Sequence, residues 1–147
     1  MIEIGGEMAL KGKNPEAGKW RIGISVPNDD STSSNMDWQE KLVITDKCIA
    51  TSGNYRRFYI KDGKKYAHTI NPATGYPIQH SLLSATVIAD NCLTADALAT
   101  AFMVMGVDKA LKLAEELPEV EGLFICAADS GKTKIVRTKG MDKYNSK

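Results

Sequence analysis

Asp96 and Thr100 stand four positions apart, a spacing that on a helix puts a carboxylate and a hydroxyl on one face, one turn from each other. Both are hard oxygen donors of the kind magnesium takes; waters, phosphate oxygens or a backbone carbonyl would have to complete the octahedron. Ordinary helix chemistry offers another account. The macrodipole favours Asp in a first helical turn, and a Thr hydroxyl can bond back to a carbonyl one turn earlier. The rest of that face is Ala-rich, which lets a bulky ligand approach closely.

His68 lies in "YAHTINPATGYP", residues 66–77. Imidazole has a reference pKa of about 6.5, so it can take a proton from an attacking hydroxyl. It can equally hydrogen-bond the "NPATG" turn. Gly5-Gly6 after "IEI" and Gly12 in "LKGK" can bring backbone N–H groups close to phosphates. They can also be plain turns, since neither GxGxxG nor a Walker loop is present. "TSGNYRRFY" places Ser52 and Gly53 at a tight bend before Tyr55, an aromatic that can stack on a planar ring or pack in a core. His80 has no motif around it and reads as surface, and Arg56-Arg57 reads as a solvated strand edge.

The elements that must position these residues are mostly short strands. "IEI" runs into the double glycine, and "WRIGISV" alternates Trp20, Ile22, Ile24 and Val26 on one face. "EKLVIT" and "RRFYIK" are similar, and Asp62-Gly63 is a hairpin signal. "LLSATVIA" is an apolar, β-branched run suited to a buried strand. "TADALATAFMVMG" predicts a helix with Thr94 as N-cap and Gly106 as its stop, and "VDKALKLAEELP" a second one ending before Pro118. "GLFICAAD" and "TKIVRT", joined across "SGK", read as a final hairpin. The expectation is an α+β domain over residues 1–147 with a largely antiparallel sheet and two adjacent helices. Two helices cover part of one sheet face, so an apolar surface remains for a partner element; a second copy could lie there as a homodimer.

Composition excludes little but useful classes. A chain of 147 residues can bury a core as one domain. With 19 basic and 18 acidic residues, the charge balance makes no case for nucleic acid or a membrane surface. No apolar run approaches the roughly 20 residues a spanning helix needs, and "MIEIGGEM" has no signal-peptide pattern. Cys48, Cys92 and Cys126 are scattered, with no CxxC, and read as three buried thiols.

"IEIGGEMALKGKNPEAGKWRIGISVP", "IATSGNYRRFY", "YAHTINPATGYP" and "TADALATAFMVMG" occur in that order. Together they resemble the second half of the ApbE family, the FAD:protein FMN transferases once described as thiamine-biosynthesis lipoproteins. The resemblance implies binding of FAD and Mg2+, cleavage of the FAD pyrophosphate, and transfer of FMN to a Thr or Ser hydroxyl of a target flavoprotein with release of AMP. Typical acceptors in such a family are subunits of sodium-pumping and related electron-transfer complexes. Asp96 and Thr100 match the family's metal-binding Asp and Thr, with His68 or Asp96 as the base. His68 matches the His before the DPxTG-like turn, and the backbone near Ile70 would touch FAD. Gly5, Gly6, Ser52, Gly53 and Tyr55 match segments that shape the flavin pocket.

Asn71 stands where many relatives have Asp, Ala73 where a basic residue is common, and Ala99 where some have a carboxylate. The "GAxAKG"-type segment that precedes the double glycine in the family is absent. The expectation is therefore the C-terminal portion of a flavin transferase without the N-terminal half of the fold, weakly active or inactive by itself. The resemblance puts the parent in the periplasm or on the outer face of a bacterial inner membrane. Two alternatives stand beside transfer: a metal-dependent FAD pyrophosphatase yielding FMN and AMP, and a non-catalytic flavin-binding module.

Overall fold

The computed structural model describes residues 1–27, 38–54, 58–61, 64–129 and 132–145. Its centre is a six-stranded sheet built from β1 (Ile2–Ile4), β2 (Glu7–Leu10), β5 (Lys47–Gly53), β8 (Leu82–Ala89), β9 (Glu121–Ala127) and β10 (Thr133–Arg137), lying in that order. Every neighbouring pair is antiparallel, as the sequence pattern leads one to expect. Two ribbons stand apart from it: β3 (Trp20–Ser25) with β4 (Trp38–Ile44), and β6 (Phe58–Lys61) with β7 (Lys64–Ala67). Asp62 and Gly63, between β6 and β7, lie outside the described residues, as do Arg56, Arg57, Ser130 and Gly131.

One sheet face carries both helices, α1 (Cys92–Met105) and α2 (Val107–Glu116). Ala50, Ala85, Val87 and Ala89 of the sheet meet Ala95, Ala99, Phe102 and Met103 of α1 there. Five alanines in that contact let α1 lie close on β5 and β8. Phe102 sits edge-on to Phe124, with ring centroids 5.6 Å apart at 67°, a geometry the aromatic quadrupole favours.

The other sheet face is covered too, which corrects the expectation of an open apolar surface. Ile22 and Ile24 of β3 and Leu42 and Ile44 of β4 pack on Ile49, Ile88, Leu123 and Ile125, with Met141 and Tyr144 of a C-terminal 3-10 helix (Lys139–Tyr144). A half-buried Arg137–Glu40 ion pair of 2.9 Å ties β4 to β10. The cover was hard to foresee because β3 alternates correctly but pairs only with β4, so its apolar side must find a sheet far away in sequence. With both faces covered, β8 is apolar along nearly its whole length, as a doubly buried strand requires. The exposed apolar side chains of the sheet are at its β1 edge, where Ile2 is 66% and Ile4 74% exposed. No helix among the described residues is long and apolar enough to cross a membrane.

The start of α1 also departs from expectation. Asn91 rather than Thr94 is the N-cap, and its side-chain oxygen accepts from the Thr94 N–H at 2.8 Å. Asn91 stands where the chain is still extended, so its carbonyl can reach back to the third helical residue. Thr94 is that third residue and supplies only the backbone donor. At the far end Gly106 stops α1 as expected, its N–H bonding to the Phe102 carbonyl, and its own carbonyl opens α2 by accepting from Ala110 N–H at 3.0 Å. One glycine therefore joins two helices, at φ 78° and ψ 165°, a region essentially closed to other residues. Gly106→Ala should cost about 1–3 kcal/mol, since the new Cβ would also sit 3.3 Å from the His80 ring. A lowered urea midpoint with an unchanged slope is the expected readout; an unchanged midpoint would refute it.

His80 is on the surface as expected, yet it has a structural task. Its Nε2 bonds to the Met103 carbonyl at 2.8 Å, and its Nδ1 accepts from the Leu82 N–H at 3.3 Å. The imidazole thus satisfies one of the carbonyls that α1 leaves open at its end. Of the three cysteines, Cys48 and Cys126 are buried, but Cys92 is half-exposed in the first turn of α1. Burial, and then the neighbouring Cys92 thiol, push Cys48 up to about 11.

Candidate functional site

The last residues of β5 extend past the end of β2, because Leu10 pairs with Lys47 and Met8 with Ile49. Beyond Met8 the chain turns back through Gly5-Gly6 to β1, with Ile4 opposite Glu7. A two-residue hairpin turn with φ of 67° and 105° at its centre demands glycine at both positions. The turn reading of the double glycine is therefore correct, and it also leaves an opening beside Thr51 and Ser52.

That opening is a cleft of about 290 Å³ lined by Gly5, Thr51, Ser52, Gly53, His68, Thr69, Thr100 and Met103. Five of these, Gly5, Ser52, Gly53, His68 and Thr100, are site candidates named from the sequence and its family resemblance. They come from four separate segments: a hairpin turn, a strand end, the segment after β7 and the middle of α1. Gly6 lines a second cleft of about 280 Å³ against the β3 ribbon, with Glu3, Met8, Gly23 and Ser25; Gly5 and Thr51 border both. Gly12 is different. Its N–H is taken by Asp46 Oδ1 at 3.0 Å, so it shapes a turn and offers nothing to a phosphate.

Thr100 and Asp96 are both exposed on α1. Two ordinary explanations for them weaken here. The helix begins at Cys92, so Asp96 is its fifth residue and no acidic residue lies in the first turn for the macrodipole to favour. The Thr100 hydroxyl is 3.0 Å from Ser52 Oγ on β5, a side-chain partner rather than a carbonyl of its own helix. Asp96 has no hydrogen bond or ion pair among the described residues. It does not line the cleft; it stands one helical turn from Thr100, which does.

The segment after His68 folds on itself. Ile70 bridges to Pro77, Asn71 N–H bonds to the Tyr76 carbonyl at 2.9 Å, and Asn71 Oδ1 accepts from Ala73 N–H at 2.9 Å. An Asp at 71 would accept the same bond, so Asn71 fills the position without loss. Ile70 is 47% exposed and sits beyond the cleft-lining residues, next to Thr69. Tyr55 lies outside the described residues.

Thr51, Thr69 and Met103 also line the cleft and had no signal as site residues. Thr51 neighbours Ser52, but strand alternation sends it to the opposite face, where its hydroxyl meets buried Thr86 at 2.8 Å. Only because β5 ends at the cleft can both residues border it.

For a metal, the available donors are of one kind. Among the described residues no group of three His, Cys, Asp or Glu side chains could hold an ion. Asp96 and Thr100 present a free carboxylate and a hydroxyl near each other, which suits an oxygen-seeking cation that keeps several waters. Neither residue supplies a nitrogen or a thiol, so the pair is unlike a zinc site.

The profile of the ApbE family matches residues 1–124. An FAD:protein FMN transferase of Vibrio cholerae is 44% identical over 131 residues, covering 89% of this chain and 38% of the relative. The Haemophilus influenzae FAD:protein FMN transferase is 39% identical over 146 residues, covering 95% of this chain and 41% of that protein. Among solved structures, the flavin transferase ApbE from Vibrio cholerae superposes with a TM-score of 0.78 at 38% identity, covering 97% of this chain and 43% of that one. The ApbE protein from Thermotoga maritima gives 0.79 at 29% identity, over 99% and 44% of the two chains. The chain thus spans about two fifths of the length of the relatives it matches.

Proposed function

The chain belongs to the ApbE family, and from that membership we propose that its cleft is part of the site at which an FAD:protein FMN transferase handles the diphosphate of FAD. The observation that carries this reading is the meeting of Gly5, Ser52, Gly53, His68 and Thr100 around one opening, with Asp96 one helical turn from Thr100 on α1. At about 290 Å³ the cleft is at the lower limit of small-molecule sites. It takes one part of a dinucleotide, so FAD would extend into the adjoining cleft across Gly5 and Thr51.

Asp96 and Thr100 would hold Mg2+. When bound, the ion supplies positive charge where negative charge builds on the diphosphate oxygens. The acceptor is a Thr or Ser hydroxyl of a flavoprotein subunit of an electron-transfer complex. Its oxygen bonds to the FMN phosphorus, the bond from that phosphorus to the bridging oxygen breaks, and AMP leaves with the electron pair. The hydroxyl proton goes to His68, which borders the cleft; Asp96, with its lone pairs turned to the cation, is the weaker candidate for base. Backbone at Gly5 and Gly53 lets the ligand come near without a Cβ in its path.

Incubating the chain with FAD, Mg2+ and a Thr-containing acceptor peptide tests the reading. An FMN adduct on the peptide together with AMP supports transfer. Free FMN and AMP without an adduct would mean a pyrophosphatase, and unchanged FAD a binding module; either refutes transfer by this chain. In the same assay His68→Gln should lower the turnover rate by about 10²–10⁴-fold, the usual worth of a general base, while FAD affinity changes little. Equal turnover would remove His68 from the mechanism.

A further inference from the structure

Ser52 lies on β5 with its hydroxyl 3.0 Å from that of Thr100, and either oxygen can be the donor in the bond. The contact exists because Ala95 and Ala99 are fully buried and bring α1 down onto the strand. Cys48, Ala50 and Ser52 alternate onto the helix side of β5, so Ser52 is the last side chain of that strand to face α1. A Thr hydroxyl has one proton and two lone pairs. Left free to rotate, it would point its proton at an approaching cation in some of its rotamers. A cation drawing on Thr100 Oγ1 makes that O–H the stronger donor of the two, and Ser52 Oγ is the acceptor already in place. With a cation bound, the proton would point away from the ion, while the position of the Thr100 oxygen is held beforehand by the 3.0 Å contact.

Resting on the metal reading of Asp96 and Thr100, we propose that Ser52 is a positioning residue for the cation: it accepts the Thr100 hydroxyl proton and so turns Thr100 into an oxygen ligand. A second consequence is local. With its lone pair engaged by Thr100, Ser52 keeps its own O–H free to donate into the cleft it borders, toward an oxygen of an anionic ligand. Partners of metal ligands commonly matter to affinity by about 10–100-fold, and a neutral hydroxyl pair belongs at the lower end.

Mn2+ is the probe, with its binding to the folded chain followed by the loss of free-ion electron paramagnetic resonance signal. Ser52→Ala should weaken Mn2+ binding about tenfold, and Ser52→Thr, which keeps the hydroxyl, should restore most of it. In a Thr100→Val background, Ser52→Ala should then change affinity no further, because its route of action is gone. A merely structural Ser52 would instead weaken the double variant as much as the parent. Thermal melts of the unaltered chain and every variant serve as the folding control. Unchanged Mn2+ affinity in Ser52→Ala, alongside clear loss in Asp96→Ala, would overturn the role of Ser52 alone. Mn2+ binding untouched in Asp96→Ala, or absent from the unaltered chain, would overturn the metal reading and this inference with it.

Discussion

Asp96→Ala should abolish metal-dependent flavin transfer, lowering it by at least about a hundredfold, with no matching loss of stability. The carboxylate is the one charged donor proposed for the cation, and stabilising charge at a phosphoryl centre is worth several kcal/mol, tenfold for each 1.36. Nothing in the fold depends on it. Asp96 is exposed and without a partner among the described residues, so its removal should move stability by no more than about 0.5 kcal/mol. Asp108→Ala is the fitting control: that residue is also an exposed helical carboxylate, in the first turn of α2 and remote in sequence from Thr100. Activity and Mn2+ affinity should drop in the first variant and persist in the second. If both variants transfer FMN alike, Asp96 is not a ligand.

The largest effect on stability is expected at Phe102. Its ring is fully buried between α1 and the sheet, edge-on to Phe124, in a cluster that also holds Leu82, Val87 and Met103. Phe102→Ala removes that ring and its edge-to-face contact with Phe124, and leaves a cavity that a close-packed core refills only in part. The cost should be about 3–5 kcal/mol, the range for Phe to Ala in cores, against a total of about 5–15 for an ordinary domain. Urea unfolding followed by circular dichroism measures it. A cost under about 1 kcal/mol would mean that α1 does not pack on β8 and β9 as described.

The chemistry of the candidate site was more legible than the architecture around it. Spacing alone leaves Asp96 and Thr100 open to an ordinary helix reading, and His68 to a turn-bonding one; the four ordered motifs make them site candidates. The strands with one apolar face (β3, β4) or two (β8) follow from alternation. β5 did not read as a strand across 47–53 because its two faces serve different layers. Cys48, Ala50 and Ser52 face a helix, while Ile49 and Thr51 face the ribbon, so no simple alternation of polar and apolar survives. Asn91 and Thr94 are both capping types, and the pattern that suggests Thr94 starts the helix three residues later than it begins. His80 was unreadable for another reason: its partners, Met103 and Leu82, are chosen by the way β8 returns under the end of α1.

The order of the strands has a consequence for how fast the chain reaches this structure. β2 must find β5, and β5 must find β8, across whole ribbons that lie between them in sequence: Cys48 pairs with Ala9 on one side and Ala89 on the other. Closing such long loops costs entropy before any contact compensates for it, so folding should be slow for a chain of this length. The local pieces, the α1–α2 corner and the β9–β10 hairpin, can form early, but β5 joins them only when both neighbours arrive. Since β5 also supplies Thr51, Ser52 and Gly53 to the cleft, the site is completed among the last events of folding. Synthesis from the ribosome has the same implication: β5 emerges well before β8, and must wait unpaired on that edge until the following ribbon is made.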